Sequence, residues 1–68
     1  MKYYLLEVAE GDEKIAGKAV YEYATEIAVI AAFHKRYGQA LDSPLYTSVL
    51  VMAIAEDGKV IERGSWKK

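Results

Sequence analysis

The sequence predicts an α+β domain: a four-stranded antiparallel sheet with one helix packed on one face. One stretch of helical periodicity lies in the middle of the 68 residues, with strand-like stretches before and after it. An Asp-Gly pair divides the later strand-like stretch as a hairpin turn would. Together these features give the element order ββαββ.

The N-terminal part of the chain predicts two strands joined by a loop. Residues 3–9 are rich in aromatic and branched side chains, which favour a strand. Residues 10–17 contain two glycines and four charges and predict a turn or loop. Residues 18–23 fit either a second strand or the start of a long helix. Because a helix over 16–41 would be very long and would contain two glycines, the strand is favoured.

The middle of the chain predicts one amphipathic helix. Thr25 is a good N-cap, and Glu26 suits the positive end of a helix dipole. Pro44 ends the helix because it biases Ser43 away from helical backbone angles. At 100° per residue, one face collects the apolar side chains Val29, Ile30, Phe33, Tyr37, Ala40 and Leu41.

The C-terminal part predicts a hairpin. Residues 45–56 form the most apolar strand, and residues 59–66 form its return. Asp57 and Gly58 are expected to be the two central turn residues, both with positive φ. Gly64 is interpreted as a bulge. Placing the most apolar strands in the centre gives the sheet order 2-1-3-4.

The third strand is apolar on both sides, whereas a single helix covers only one face of a sheet. We assign Leu6, Val8, Leu50, Met52 and Ile54 to the helix side. The uncovered face is then predicted to be an interface for a homodimer or an unidentified protein partner, since a monomer rarely exposes such a patch. Two alternatives remain: other side chains fold over this face, or the assignment is slipped by one residue. The predicted interface residues are Tyr3, Leu5, Tyr21, Tyr23, Val49 and Val51.

Composition argues against several classes of function. The net charge is −1 and there is no long basic run, so nucleic acid is an improbable partner. There is no Cys and only one His, which excludes a disulfide and disfavours a structural zinc site. The longest uncharged run, residues 43–55, is too short to span a bilayer. We therefore expect a cytoplasmic protein with no membrane contact.

No catalytic or cofactor motif stands out. His34 is the one histidine of the chain, and it is expected to be a partly packed residue at the margin of the helix's apolar face. The acids Glu10, Asp12 and Glu13 lack the spacing of a calcium loop and are expected to be solvated. The glycines and serines match no phosphate-binding or nucleophile motif. The sequence predicts neither an enzyme nor a cofactor.

Residues 31–41 (AAFHKRYGQAL), residues 43–61 (SPLYTSVLVMAIAEDGKVI) and Trp66 carry a resemblance. They are similar to a loose family of very short uncharacterised proteins of prophages and conjugative elements in Gram-positive gut bacteria. Those proteins also begin with a Tyr-rich strand and carry Phe-His on a helix. The resemblance implies a mobile-element context, an intracellular location and an accessory role, and it carries over no functional residue. An alternative is a mobile-element effector that binds a host protein or a nucleotide ligand where Tyr and Lys or Arg side chains converge.

Overall fold

The computed structural model describes residues 1–12 and 16–68. It confirms the predicted ββαββ order and the sheet order β2-β1-β3-β4, with every neighbouring pair antiparallel. The predicted loop over residues 10–17 was too long, because Glu10 and Gly11 belong to the first strand and Ala16 and Gly17 to the second; residues 13–15 lie outside the described residues. The elements are β1 (Tyr3–Gly11), β2 (Ala16–Tyr23), α1 (Glu26–Asp42), β3 (Tyr46–Ala55) and β4 (Val60–Lys67).

Both ends of α1 follow the local chemistry of the sequence. The Ala28 amide donates a hydrogen bond to Thr25 Oγ1 at 3.2 Å, which satisfies one of the free donors of the first turn. Ser43 is the C-cap in extended conformation, as expected for the residue before Pro44. The predicted helix is therefore confirmed at both ends.

The β3–β4 hairpin has a longer loop than predicted. The Gly58 amide donates to the Ala55 carbonyl, and the Ala55 amide donates to the Lys59 carbonyl, both at 2.9 Å. These bonds define a three-residue loop, residues 56–58, that ends on Gly58 at φ 94°. Asp57 Oδ1 accepts from the Lys59 amide at 3.1 Å, an Asx-type contact that stabilises the turn. The two-residue Asp-Gly turn was thus the wrong loop type.

The bulge lies at Ile61 and not at Gly64. Ala53 pairs with Glu62 and Ile54 pairs with Val60, so Ile61 is the extra residue. Gly64 pairs regularly with Val51. The prediction misread this glycine, whose role is to make room for a side chain of α1.

Replacing Gly58 by Ala is expected to destabilise the protein by about 1 kcal/mol, because a Cβ is strained at positive φ. No atom lies within 4 Å of the position that this Cβ would take, so the cost comes from the backbone alone. Urea unfolding of Gly58→Ala and Gly58→Asn measures it. Asn tolerates the left-handed region and should recover part of the loss; equal stability of wild type and Gly58→Ala would contradict the loop geometry.

The helix covers the sheet face opposite to the predicted one. Leu5 and Val51 have 0% exposure and Val49 has 1%, in one core cluster with Val29 and Phe33 of α1. The six predicted interface residues all belong to this covered face. Three are fully buried, and the remaining three, Tyr3, Tyr21 and Tyr23, are partly buried against the core.

Two physical features place α1 on this face. The first is space, since a helix approaches a sheet closely only over small side chains, and Ala9, Ala53 and Gly64 all lie beneath it. The second is charge: Glu7, on the covered face of β1, forms an ion pair with Arg36 of the helix. A slip of one residue exchanges the two faces of a strand, so one wrong choice inverted the whole assignment.

The buried stripe of α1 is narrower than its periodicity predicts. Val29, Phe33 and Ala40 are buried, and Ile30 and Tyr37 pack partly against the core. Leu41, assigned to the same stripe, is 43% exposed. At 100° per residue Leu41 lies at the margin of the apolar arc, on the part of the helix surface that faces solvent.

Candidate functional site

The sheet face away from α1 carries large apolar side chains on all four strands. Along β1 and β3 three cross-strand pairs lie side by side: Tyr4 with Ile54, Leu6 with Met52, and Val8 with Leu50. The outer strands add one valine each. The apolar residues on this side of the sheet are called the open face below. The open face comprises Tyr4, Leu6, Val8, Val20, Leu50, Met52, Ile54 and Val60.

Exposure on the open face increases outward. The six residues on β1 and β3 are partly buried by one another, as expected for cross-strand neighbours. Val20 on β2 is 67% exposed and Val60 on β4 is 51% exposed. The two valines thus extend the apolar surface to the edge strands.

Among the residues that the structure describes, charged groups on this side of the sheet lie only on the outer strands and at the ends of the inner ones. Lys18 and Glu22 flank Val20 on β2, and Arg63 is the β4 residue opposite Met52. Lys2 Nζ lies 3.5 Å from Glu22 Oε1 in an exposed ion pair. The centre of the open face therefore contains no charge, while its rim carries both signs.

The shape of the molecule agrees with one uncovered layer. A compact monomer of 7.6 kDa is expected to expose roughly 4,300 Å², whereas this chain exposes 4694 Å². Its dimensions are 39 × 17 × 15 Å, those of one sheet with one helix. The two-layer arrangement leaves one face of the sheet in solvent.

One signal in the sequence distinguishes the two faces. Small residues recur at alternate strand positions, as in Ala53 and Ala55 of β3, while the large Leu50, Met52 and Ile54 occupy the other phase. Read as space for a helix, this alternation would have assigned the open face correctly. Hydrophobicity alone does not separate the two sides.

A second cluster lies between the helix and the sheet. Arg36 Nε donates to Glu7 Oε2 at 2.6 Å, and the Arg36 guanidinium lies 4.5 Å from the centre of the Tyr21 ring. The Glu7 side chain is only 16% exposed, and its hydrogen bond raises the pKa of Arg36 above its ordinary value. This pair satisfies a nearly buried carboxylate and joins α1 to β1. The Arg36 charge is already neutralised by a partner within the chain.

The remaining candidate features are His34, the acidic side chains and a depression on the helix. His34 is exposed, its ring edge-on to Phe33 at 5.2 Å, and no hydrogen bond or ion pair of the described residues involves it. Across residues 1–12 and 16–68, no three His, Cys, Asp or Glu side chains are placed to hold a metal ion. A shallow depression of about 500 Å³ lies on the helix, lined by Lys35, Gly38, Gln39, Leu41 and Asp42.

Comparison with known proteins finds no match to a family model, to a curated protein or to a solved structure. Within the described residues, α1 lacks the length and apolarity needed to cross a bilayer. Any functional statement therefore depends on the geometry of this chain.

Proposed function

We propose that this is a small non-enzymatic accessory protein that self-associates, with the open faces of two copies packed against each other. The observation that supports it is the uncharged centre of the open face. Leu6, Met52 and their neighbours cover both inner strands without interruption. Hydrophobic burial is the main driving force of such an association.

The size of the open face suits a dimer. Four strands about 4.8 Å apart, each at least 8 residues long at about 3.3 Å per residue, give this whole side of the sheet, its charged rim included, a surface of roughly 20 by 25 Å. Two such faces in contact bury on the order of 1,000 Å², near the lower limit for a specific interface. Sheets in β-sandwiches pack in this way, about 10 Å apart.

A second copy is the occupant that the charge pattern favours. A two-fold axis through the uncharged centre brings apolar side chains against apolar side chains and buries no lone charge. A two-fold axis across the strands at the level of Val20 places Lys18 of one copy near Glu22 of the other, and at the rim it sets Arg63 opposite the second copy's Arg63. The face is thus complementary to itself in hydrophobicity and, along β2, in charge.

The cellular setting follows from the resemblance described above. The resemblance to short mobile-element proteins supports an intracellular, accessory role, and we propose a cytoplasmic location. The alternative of a nucleotide-binding effector calls for free basic groups beside tyrosines. The contact between Arg36 and Tyr21 resembles that arrangement, but the Arg36 guanidinium is already hydrogen-bonded to Glu7.

Met52→Glu tests the proposal. The new carboxylate lies at the centre of the open face and opposite Arg63 on β4, which can pair with it in the monomer. Two such charges facing each other across an interface cost about 3 kcal/mol or more. We therefore expect the dimer dissociation constant to rise at least about 100-fold. Sedimentation equilibrium measures the constant, and circular dichroism checks the fold.

Ile27→Glu is the matched control. Ile27 is 79% exposed in the first turn of α1, away from the sheet. The same exchange of an apolar side chain for a carboxylate is favourable there and should leave association unchanged. A wild-type protein that stays monomeric at about 100 µM would overturn the proposal. Equal association of the wild type and a folded Met52→Glu variant would also overturn it.

A further inference from the structure

The outer edge of β2 has the regular form that strand pairing requires. Within residues 1–12 and 16–68, β2 is hydrogen-bonded to β1 alone, and it pairs with β1 over residues 16–23 without a shift in register. Its other edge presents free backbone donors and acceptors. Val20, at the middle of the strand, is 67% exposed.

The side chains of β2 are complementary to a second, antiparallel β2. In a pair centred on Val20, residues whose numbers add to 40 stand opposite each other on the same face of the sheet. Lys18 then meets the second copy's Glu22, and Glu22, whose exposed ion pair with Lys2 is weak, meets its Lys18, with Cβ atoms about 5 Å apart. Valine meets valine at the centre, so the open-face side of the pair contains two ion pairs around an apolar contact.

The helix side of the same pair is complementary in size. Tyr21 stands opposite Ala19 of the second copy, and Tyr23 stands opposite Gly17. Each large ring thus faces a small residue. Both tyrosine rings pack against the core of their own protomer. The small residues opposite them in the second copy leave that packing undisturbed.

The other edge strand lacks these properties. β4 is interrupted by the bulge at Ile61, a common protection of an edge. Its one acid, Glu62, shares a face with Gly64 and Trp66, so no two-fold antiparallel register of β4 sets Glu62 opposite a base. A register centred on Ser65 would instead oppose Arg63 and Lys67, two like charges.

We infer that two copies of this chain pair through β2, centred on Val20, to form one continuous eight-stranded sheet. A two-fold axis perpendicular to the sheet keeps both helices on one side and both open faces on the other. The contact therefore doubles the apolar surface available for packing. It uses the strand edge and goes beyond the face-to-face association proposed above, and either contact can form without the other.

Cysteine scanning tests the β2 contact in the full chain, because the protein has no Cys of its own. In the paired strands, the Cα atoms of the two Val20 residues lie about 4.5–5.5 Å apart, within disulfide range. Val20→Cys is expected to become mostly disulfide-linked dimer with oxidised glutathione, as read on a non-reducing gel. Face-to-face sheets, about 10 Å apart, are too distant for this bond.

Val60→Cys is the matched control, an exposed valine on the same face but on the other edge strand. It is expected to remain monomeric on the gel. Linkage of Val60→Cys without linkage of Val20→Cys would overturn the inference, as would no linkage of either. Adding Met52→Glu to Val20→Cys separates the two interfaces: persistent linkage supports the edge contact independently of the open face.

Charge reversal in the Val20→Cys background tests the register. Lys18→Glu alone opposes two acids at each site, and Glu22→Lys alone opposes two bases, so each should reduce linkage at least about tenfold. An equal mixture of the two variants should restore it as a heterodimer, because every opposed pair then has opposite charges. The register centred on Val20 would be overturned if a single charge reversal left the amount of disulfide-linked dimer unchanged. It would also be overturned if mixing the two variants did not restore the linked dimer.

Discussion

Phe33→Ala is expected to lower the free energy of unfolding by about 3–5 kcal/mol, the usual cost of truncating a buried phenylalanine. Phe33 is 4% exposed and belongs to the core cluster with Leu5, Val49 and Val51. Its ring also stacks on Tyr37, with centroids 5.6 Å apart. Truncation leaves a cavity between helix and sheet that a single helix cannot close.

The loss is severe because the domain is small. At 0.05–0.15 kcal/mol per residue, a chain of this length has a total stability of about 3–10 kcal/mol. With a urea dependence of about 1 kcal/mol per molar, the midpoint should fall by about 3 M or more. Circular dichroism at one fixed protein concentration measures it, since self-association would also add stability.

Phe33→Leu is the matched control for this prediction. It keeps most of the apolar volume and should cost less than about 1.5 kcal/mol. Comparable destabilisation by Leu and Ala would indicate that the aromatic stack, and not filled volume, is what the core needs at this position. An unchanged midpoint for Phe33→Ala would contradict the placement of α1 on the sheet.

Gly64→Ala is expected to destabilise the protein by about 1–3 kcal/mol through overpacking. A Cβ at this position would lie 2.6 Å from Cε2 and 2.7 Å from Cζ of Tyr37, well inside contact distance. The ring cannot move freely, because it stacks on the buried Phe33. Thermal or urea unfolding measures the loss.

Two further variants test the cause of this effect. Gly38→Ala should stabilise the protein by about 1 kcal/mol, because Gly38 is exposed in α1 with nothing within 4 Å and Ala is the better helix former. In a Tyr37→Ala background, Gly64→Ala should cost little, since the clashing ring is gone. If the cost persisted there in full, the backbone of β4 and not Tyr37 would require glycine.

The outer edge of β2 shows which part of an interface can be predicted from a local sequence pattern. Lys18, Val20 and Glu22 form a symmetric pattern in residues 18–23, and the assignment of that segment as a strand was correct. The pattern can serve as an interface only because the sheet order places β2 outermost. A strand in the centre of the sheet could not use the same pattern, because both of its edges would be paired.

Local chemistry determined the elements of this protein and their order. The Thr25 cap, the stop at Pro44 and the alternating apolar residues of β3 act over a few residues, so they are legible in the sequence. Placing the most apolar strands in the centre then yields the sheet order.

The tertiary structure decided which face the helix covers, and the hydrophobicity of the strands did not predict it. Both sides of β3 are apolar, so the gain from burying either side is similar, and that choice depends on contacts between distant residues. Arg36 neutralises Glu7 from 29 positions away, and Gly64 admits the ring of Tyr37. The hydrophobic pattern of the strands carries no information on such pairing of charges and matching of volumes. With the helix held on one face by these contacts, the large side chains of the other face remain exposed to solvent.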